Sequence, residues 1–312
     1  MAGTSSNQLR SAYVAETTAA TTPATPGFTT CDTAILINAT PNISEQKSLT
    51  TKGARADQAV IGREVSGTMA DKLIYGNYDG WLETLLQGAW ASNVLKDGKS
   101  VKTMTVENAI AAGEGGTNTM MRYRGVQAVS GSITAAANED IQFSFDVRGM
   151  GSDDATTTAI TGATYTDPTN TTPLTSGLDV GTITIAGYTV DCIMRVEMQF
   201  EYDDRSDQPK IGSYDLCGIT RGALVPVVNV RLYVESNFAA ILNAARSNHT
   251  AFAVTVPLGS VSGSKYTVLF PSCKFAAGTL DFGTADAMHD VVINPLYDDT
   301  EACVVKITRA VS

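Results

Sequence analysis

Hydrophobic and polar positions alternate with period two along several stretches of this chain. The clearest is Ile141, Phe143, Phe145 and Val147, with polar residues between them. Strict alternation marks a strand with one face buried. Residues 193–200 (IMRVEMQF) alternate in the same way, residues 180–185 read as the strand that opens a second half, and residues 303–308 read as a last strand. Two stretches follow a 3.6-residue period instead, residues 77–85 (NYDGWLETL) and 237–245 (NFAAILNAA), which lie 160 positions apart. In each an Asn, Asn77 or Asn237, is placed to cap the first turn, and apolar residues recur at helical spacing. Each is expected to stop at a residue that tolerates the left-handed conformation, Gly88 and Asn248.

The similarity extends beyond the helices. A strand-like run precedes each one, residues 65–75 and 225–234. After a gap, residues 123–133 align with 270–280 at a shift of 147 and are expected to form a hairpin in each half. The chain thus reads as one unit used twice; the alternative is two unrelated halves that share an element order. Long strands with one helix per half predict a mainly β, α+β protein. Each half is expected to be a small β-sandwich or barrel with a flanking α-helix. The division expected is an extended N-terminal arm (1–30), a first domain (31–150), a linker or surface loop (151–178) and a second domain (179–312). Ten of the 27 residues from 151 to 177 are Thr, which is why that segment reads as a linker.

Composition narrows the function classes. A hydrophobic content of 43% fits a chain that buries real cores. The net charge of −10 argues against a surface that grips nucleic acid, which needs clustered Lys and Arg. No run of apolar residues is long enough to span a membrane as a helix. The first residues lack the apolar core of a secretory signal. The sequons at Asn38, Asn42, Asn170 and Asn248 therefore carry no glycosylation meaning, and Cys31, Cys192, Cys217, Cys273 and Cys303 are expected to be reduced, mostly core residues of a protein made in a cytoplasm.

No catalytic, cofactor or metal constellation emerges. His249, just past the second helix, and His289 both read as structural. Residues 259–263 (GSVSG) have Val261 where a nucleophile elbow needs Ser. Residues 113–116 (GEGG) lack the Lys-Ser/Thr of a phosphate loop and read as a loop tip. The clusters Asp203, Asp204, Asp207 and Asp298, Asp299, Glu301 lack calcium-loop spacing and read as solvated charge. The predicted site list is therefore empty, and the protein is expected not to be an enzyme.

An ordered set of residues does carry a resemblance. It comprises residues 9–18 (LRSAYVAETT), 22–26 (TPATP), 63–68 (REVSGT) and 75–86 (YGNYDGWLETLL), followed by Ala89 and Trp90. In order and spacing these resemble the major tail tube proteins of long-tailed bacteriophages, well over the first 150 residues and more loosely beyond. The resemblance implies β-sandwich subunits with a flanking helix that join sheets side by side into rings, with a continuous β-barrel as the inner wall. The rings stack into a tube that conducts DNA into the host without reading its sequence. It implies a place in the virion tail after assembly in the host cytoplasm, with tail tip, tail terminator and tape measure proteins as partners. If six single-domain subunits make a ring, a doubled chain should need three, a trimer with pseudo-sixfold symmetry. The N-terminal arm and a long loop over residues 96–118 are the expected contacts between stacked rings; removing residues 1–30 is then expected to shorten or abolish tubes and leave soluble folded protein. The second function class is a receptor- or carbohydrate-binding β-sandwich of a tail tip or adhesin. It would need exposed aromatics, and Trp81 and Trp90 read as core.

Overall fold

The computed structural model describes residues 3–47, 53–113, 116–234, 238–247, 250–283 and 286–309. The fold is mainly β, and 18 strands join one hydrogen-bonded network. The N-terminal half supplies β1 (Arg10–Ala15), β2 (Gly27–Thr30), β3 (Leu36–Lys47), β4 (Arg55–Lys72), helix α1 (Asp79–Leu86), β5 (Val94–Lys96), β6 (Met104–Ala111), β7 (Asn118–Ala136), β8 (Gln142–Gly149) and the short β9 (Gly151–Ser152). Next come β10 (Thr164–Thr166) and one helical turn, α2 (Ser176–Asp179). The C-terminal half runs through β11 (Ile183–Ile185), β12 (Tyr188–Val190), β13 (Ile193–Phe200), four two-residue strands β14 (Tyr202–Asp203), β15 (Asp207–Gln208), β16 (Gly218–Ile219) and β17 (Ala223–Leu224), then β18 (Val227–Tyr233), helix α3 (Phe238–Ser247), β19 (Phe252–Leu258), β20 (Tyr266–Phe282), β21 (Ala287–Leu296) and β22 (Lys306–Arg309).

Pairing in the first half runs β2–β1–β6–β7–β8–β4–β3. In the second it runs β12–β11–β19–β20–β21–β18–β13. The two are joined where the C-terminal end of β7 pairs antiparallel with β13, Ala136 opposite Arg195 through Gly131 opposite Phe200. A single apolar core extends from Ile35 to Ile307. Ties between the halves reinforce it: β22 pairs with β5, the Tyr202 hydroxyl donates to the Leu85 carbonyl at 2.6 Å, and Asp79 at the start of α1 accepts from Tyr266 and pairs with Arg309.

Residues 123–133 and 270–280, expected as hairpins, lie instead within the continuous strands β7 and β20. Two glycines of β7 shape the strand without turning it. Gly125 adopts φ +65° at a bend, where a Cβ would meet the Met150 side chain at 2.7 Å. At Gly131 a Cβ would strike the Phe145 ring at 2.4 Å, so the absent side chain lets β8 pack close. This bend lets β7 pair with β6 at one end and with β8 and β13 at the other.

Helix α1 buries Trp81, Leu82, Leu85 and Leu86, the face its periodicity predicts. Its ends differ from expectation. Tyr78 holds the N-cap position, while the Asn77 amide donates to Asp32 at 2.7 Å and to the Asn170 carbonyl at 2.9 Å. The left-handed C-terminal residue is Gln87, at φ 50°, held by hydrogen bonds from its own amide to Thr84 and Gln127. Gly88 serves close approach, since a Cβ there would sit 2.1 Å from the Lys96 carbonyl oxygen. Asn237, Asn248 and His249 lie outside the described residues.

The N-terminal residues expected as an arm are packed into the sheet. β1 lies between β2 and β6, and Ala12 and Phe28 are buried. The expected loop over residues 96–118 contains β6, whose first six residues are all buried. Its polar members disguised it: Glu107 and Asn108 lie inside because their partners lie inside too. Glu107, fully buried, pairs with Arg10 at 2.9 Å and Arg122 at 2.8 Å and accepts from the Tyr165 hydroxyl at 2.7 Å. The Thr-rich segment is laid along the first half. β10 pairs in parallel with β2, Tyr165 stacks on Phe28, and the buried Leu174 exchanges backbone hydrogen bonds with Leu73 and Ile141.

Removing one member of a buried ionic cluster leaves the others uncompensated, at a cost of about 3–5 kcal/mol. Glu107→Ala is expected to destabilise the protein by that amount in chemical denaturation, and deletion of residues 1–30 to give insoluble protein, because β6 loses its neighbour. A soluble truncation with native circular dichroism would show that β1 is dispensable.

Candidate functional site: a polar sheet face between two free edges

Eight strands lie side by side in the order β3–β4–β8–β7–β13–β18–β21–β20. One face of this sheet is apolar and packs on the core, through residues such as Met69, Phe145, Ile133, Met198, Val230 and Val291. The opposite face is polar. Residues directly across from one another share a face, so a row can be followed by register through Lys72, Gln142, Thr134, Glu197, Asn229 and Val292. Lys72, Ser132, Thr134, Gln142 and Ser144 line a groove of about 370 Å³ on it. Several cations of this face are already engaged: Arg195 with Glu197 at 2.9 Å, Lys72 with Asp140 at 2.6 Å, and Arg231 with Asp281 at 2.8 Å and Asp290 at 3.0 Å.

Both outer strands of this sheet have an open side. Among the described residues, β3 pairs with β4 alone. β20 pairs with β19 and β22 in its first part, and beyond Cys273 with β21 alone. Large apolar side chains mark these edges, Leu36 at 59% exposure and Phe282 at 76%. The hairpin of β3 and β4 continues past the sheet, with Ile43, Val60 and Ile61 exposed. Sequence reading passed over these positions. The available signals were the run Ile35-Leu36-Ile37, where an apolar residue takes a polar-face place, and Phe282, which prolongs the alternation of Gly278 and Leu280.

The residues weighed for chemistry stay apart. His289 is fully buried and packs edge-on against Phe238 at 5.4 Å. Burial pushes its pKa below the ordinary histidine value; Asp290 opposes that shift and Arg246 adds to it. Asp207 pairs with Arg148, and Glu301 with Lys96 and Lys306. No group of three or more potential metal ligands lies together among the described residues. The Ser260 hydroxyl donates to Asp179, while Glu114 and Gly115 fall outside the described residues. Cys273 and Cys303 are buried, Cys31 is half-buried, and Cys192 and Cys217 are exposed, so the expectation of mostly core cysteines fails for that last pair. Burial pushes the Cys273 thiol up to about 12 and Cys303 to about 11, which suppresses the thiolate. Trp81 is fully buried and Trp90 packs against the core, so neither offers an exposed platform for a sugar.

Open strand edges beside a solvent-facing polar side are places where a second sheet can add by strand pairing. The chain belongs to the phage tail tube protein family, whose sequence profile matches residues 6–293. It is thus a structural component of the phage tail, of a kind that self-assembles into a stacked tube. No individually curated protein matches the sequence. Among the described residues no helix is long and apolar enough to cross a membrane.

His289 gives a pH prediction. A histidine whose folded pKa is depressed takes up protons more readily in the unfolded chain, so stability is expected to fall as pH drops below about 6.5. His289→Phe, which keeps an aromatic ring against Phe238, is expected to flatten the melting temperature between pH 7 and 5. An unchanged slope in the variant would assign the acid sensitivity elsewhere.

Proposed function

We propose that the eight-strand sheet is one segment of the wall of a DNA-conducting tube, with its polar face toward the bore. The observation that carries this reading is a polar-faced sheet with one open edge at each end. An open edge on both sides is what a repeating, closing contact between copies requires. The conduit reading also has electrostatic support. Arg195 and Arg231 on the polar face are held by carboxylates, and the chain carries a net charge of −10. Cations already bonded to carboxylates bind phosphate weakly, so DNA meets little drag and no sequence is read.

The chain is, on this reading, one tail-tube unit used twice in tandem. The matching order of pairings in residues 10–149 and 183–296 supports it, with α1 and α3 at equivalent places. A ring then needs three chains, about 24 strands in all. With strands about 4.8 Å apart and tilted about 40°, the wall is roughly 45–50 Å across between backbones. Six such chains would double that. The contact between stacked rings falls to the β3–β4 hairpin, because the N-terminal strands and β6 are already packed within the sheet. The tail tip, tail terminator and tape measure proteins are the partners at the ends and in the bore, and assembly takes place in the host cytoplasm.

Electron microscopy of the purified protein is expected to show hollow tubes built of three-chain rings. Replacing residues 41–63 with a two-residue turn is expected to leave rings that do not stack. Discrete particles that bind glycan arrays would instead favour a receptor-binding module, and rings of six full chains would refute the doubled unit.

A further inference from the structure

We propose that the seam between neighbouring chains repeats the seam within each chain, residue for residue: residues 278–281 of one copy pair antiparallel with residues 36–39 of the next. The inference rests on the ring reading above and adds the partner strand and its register.

Inside the chain, Gly131, Ser132, Ile133 and Thr134 of β7 lie opposite Phe200, Gln199, Met198 and Glu197 of β13. On its other side β7 places Gly131 opposite Phe145 and Ile133 opposite Phe143. β20 places Gly278 opposite Val291 and Leu280 opposite His289. A shift of 147 thus carries β7 onto β20, and a shift of 146 carries β8 onto β21. In the second half Met198 faces Val228, which faces Ile293. In the first half Ile37 faces Gly67, which faces Val147. Since Val147 corresponds to Ile293, Met198 corresponds to Ile37, at a shift of 161. Moving the internal seam by these shifts sets Gly278 opposite Ala39, Thr279 opposite Asn38, Leu280 opposite Ile37 and Asp281 opposite Leu36.

Side-chain chemistry agrees with this register. At the internal seam the core-face residues Ile133 and Ala135 are 2% and 7% exposed, against Met198 and Val196. Their counterparts on the open edge are the half-buried Leu280 and the 76% exposed Phe282. The proposed register brings both onto the core face beside Ile37 and Ile35, where an exposed edge phenylalanine gains cover. The ladder ends at Ile35, whose N–H already donates to the Ser11 hydroxyl at 3.1 Å and whose carbonyl accepts from the Asn108 amide at 2.8 Å and from the Ile37 N–H at 3.0 Å, the one bond that docking would have to exchange.

Disulfide trapping tests the register. Asn38→Cys with Thr279→Cys places two thiols directly opposite each other on the polar face, away from the core, in a Cys192→Ser, Cys217→Ser background. Tubes oxidised mildly are expected to convert monomer into covalent species of two and three chains. Undocked protein, and tubes of the Thr40→Cys, Asp281→Cys variant set four residues out of register, are expected to stay monomeric. Tubes in which the matched pair stays unlinked, whether because the register differs or because a foreign strand occupies the edge, overturn the proposal and leave the tube reading standing. If the parent protein forms no rings or tubes at all, the tube reading falls with it.

Discussion

The outermost strand of an open sheet leaves every second N–H and C=O without a partner, and that deficit must be covered. Here it is met between the halves, where β7 bends at Gly125 and runs on to pair with β13. The join makes one eight-strand sheet of two four-strand sets, aligns their polar faces, and pushes the unmet demand outward to β3 and β20. The bend depends on a glycine whose Cβ would strike Met150, and the close approach of β8 depends on another whose Cβ would strike Phe145. Two positions without side chains thus govern how far the sheet extends.

The interior of the first half is held by a different device. Glu107 gathers Arg10 from the first strand, Arg122 from β7 and Tyr165 from the Thr-rich segment around one fully buried carboxylate. A charge so placed adds little over a well-packed apolar residue, yet it is unforgiving of loss. It fixes three segments distant in sequence against one another, including two that composition suggests are loose.

Period-two alternation made β8 and β13 legible, and helical periodicity made the buried face of α1 legible, because in those elements each side chain's polarity agrees with its environment. The strands that precede the two helices, β4 and β18, fall where strand-like runs were expected. What stayed hidden lay where polarity and environment disagree. β6 is buried yet contains Glu107 and Asn108, so it read as loop. β7 carries two glycines that mark a bend and a close contact, and β20 carries Pro271 and Gly278 within its length, yet both are continuous strands where hairpins were expected. Asn77 and Gly88 have the right chemistry for caps, but their neighbours recruit them for other contacts. The open edges were passed over because the lack of a neighbour is a property of the assembled sheet, and Leu36 and Phe282 are its local marks.

The β7–β13 pairing forms when the chain folds, before any encounter between molecules. In a three-chain ring, every second seam is therefore intramolecular and loses no translational freedom on closure. Covalent linkage holds the two halves of the chain at the high effective concentration of a short tether. On the proposed three-chain reading, closure would be third order in place of sixth order and would persist at lower protein levels than unlinked units would need.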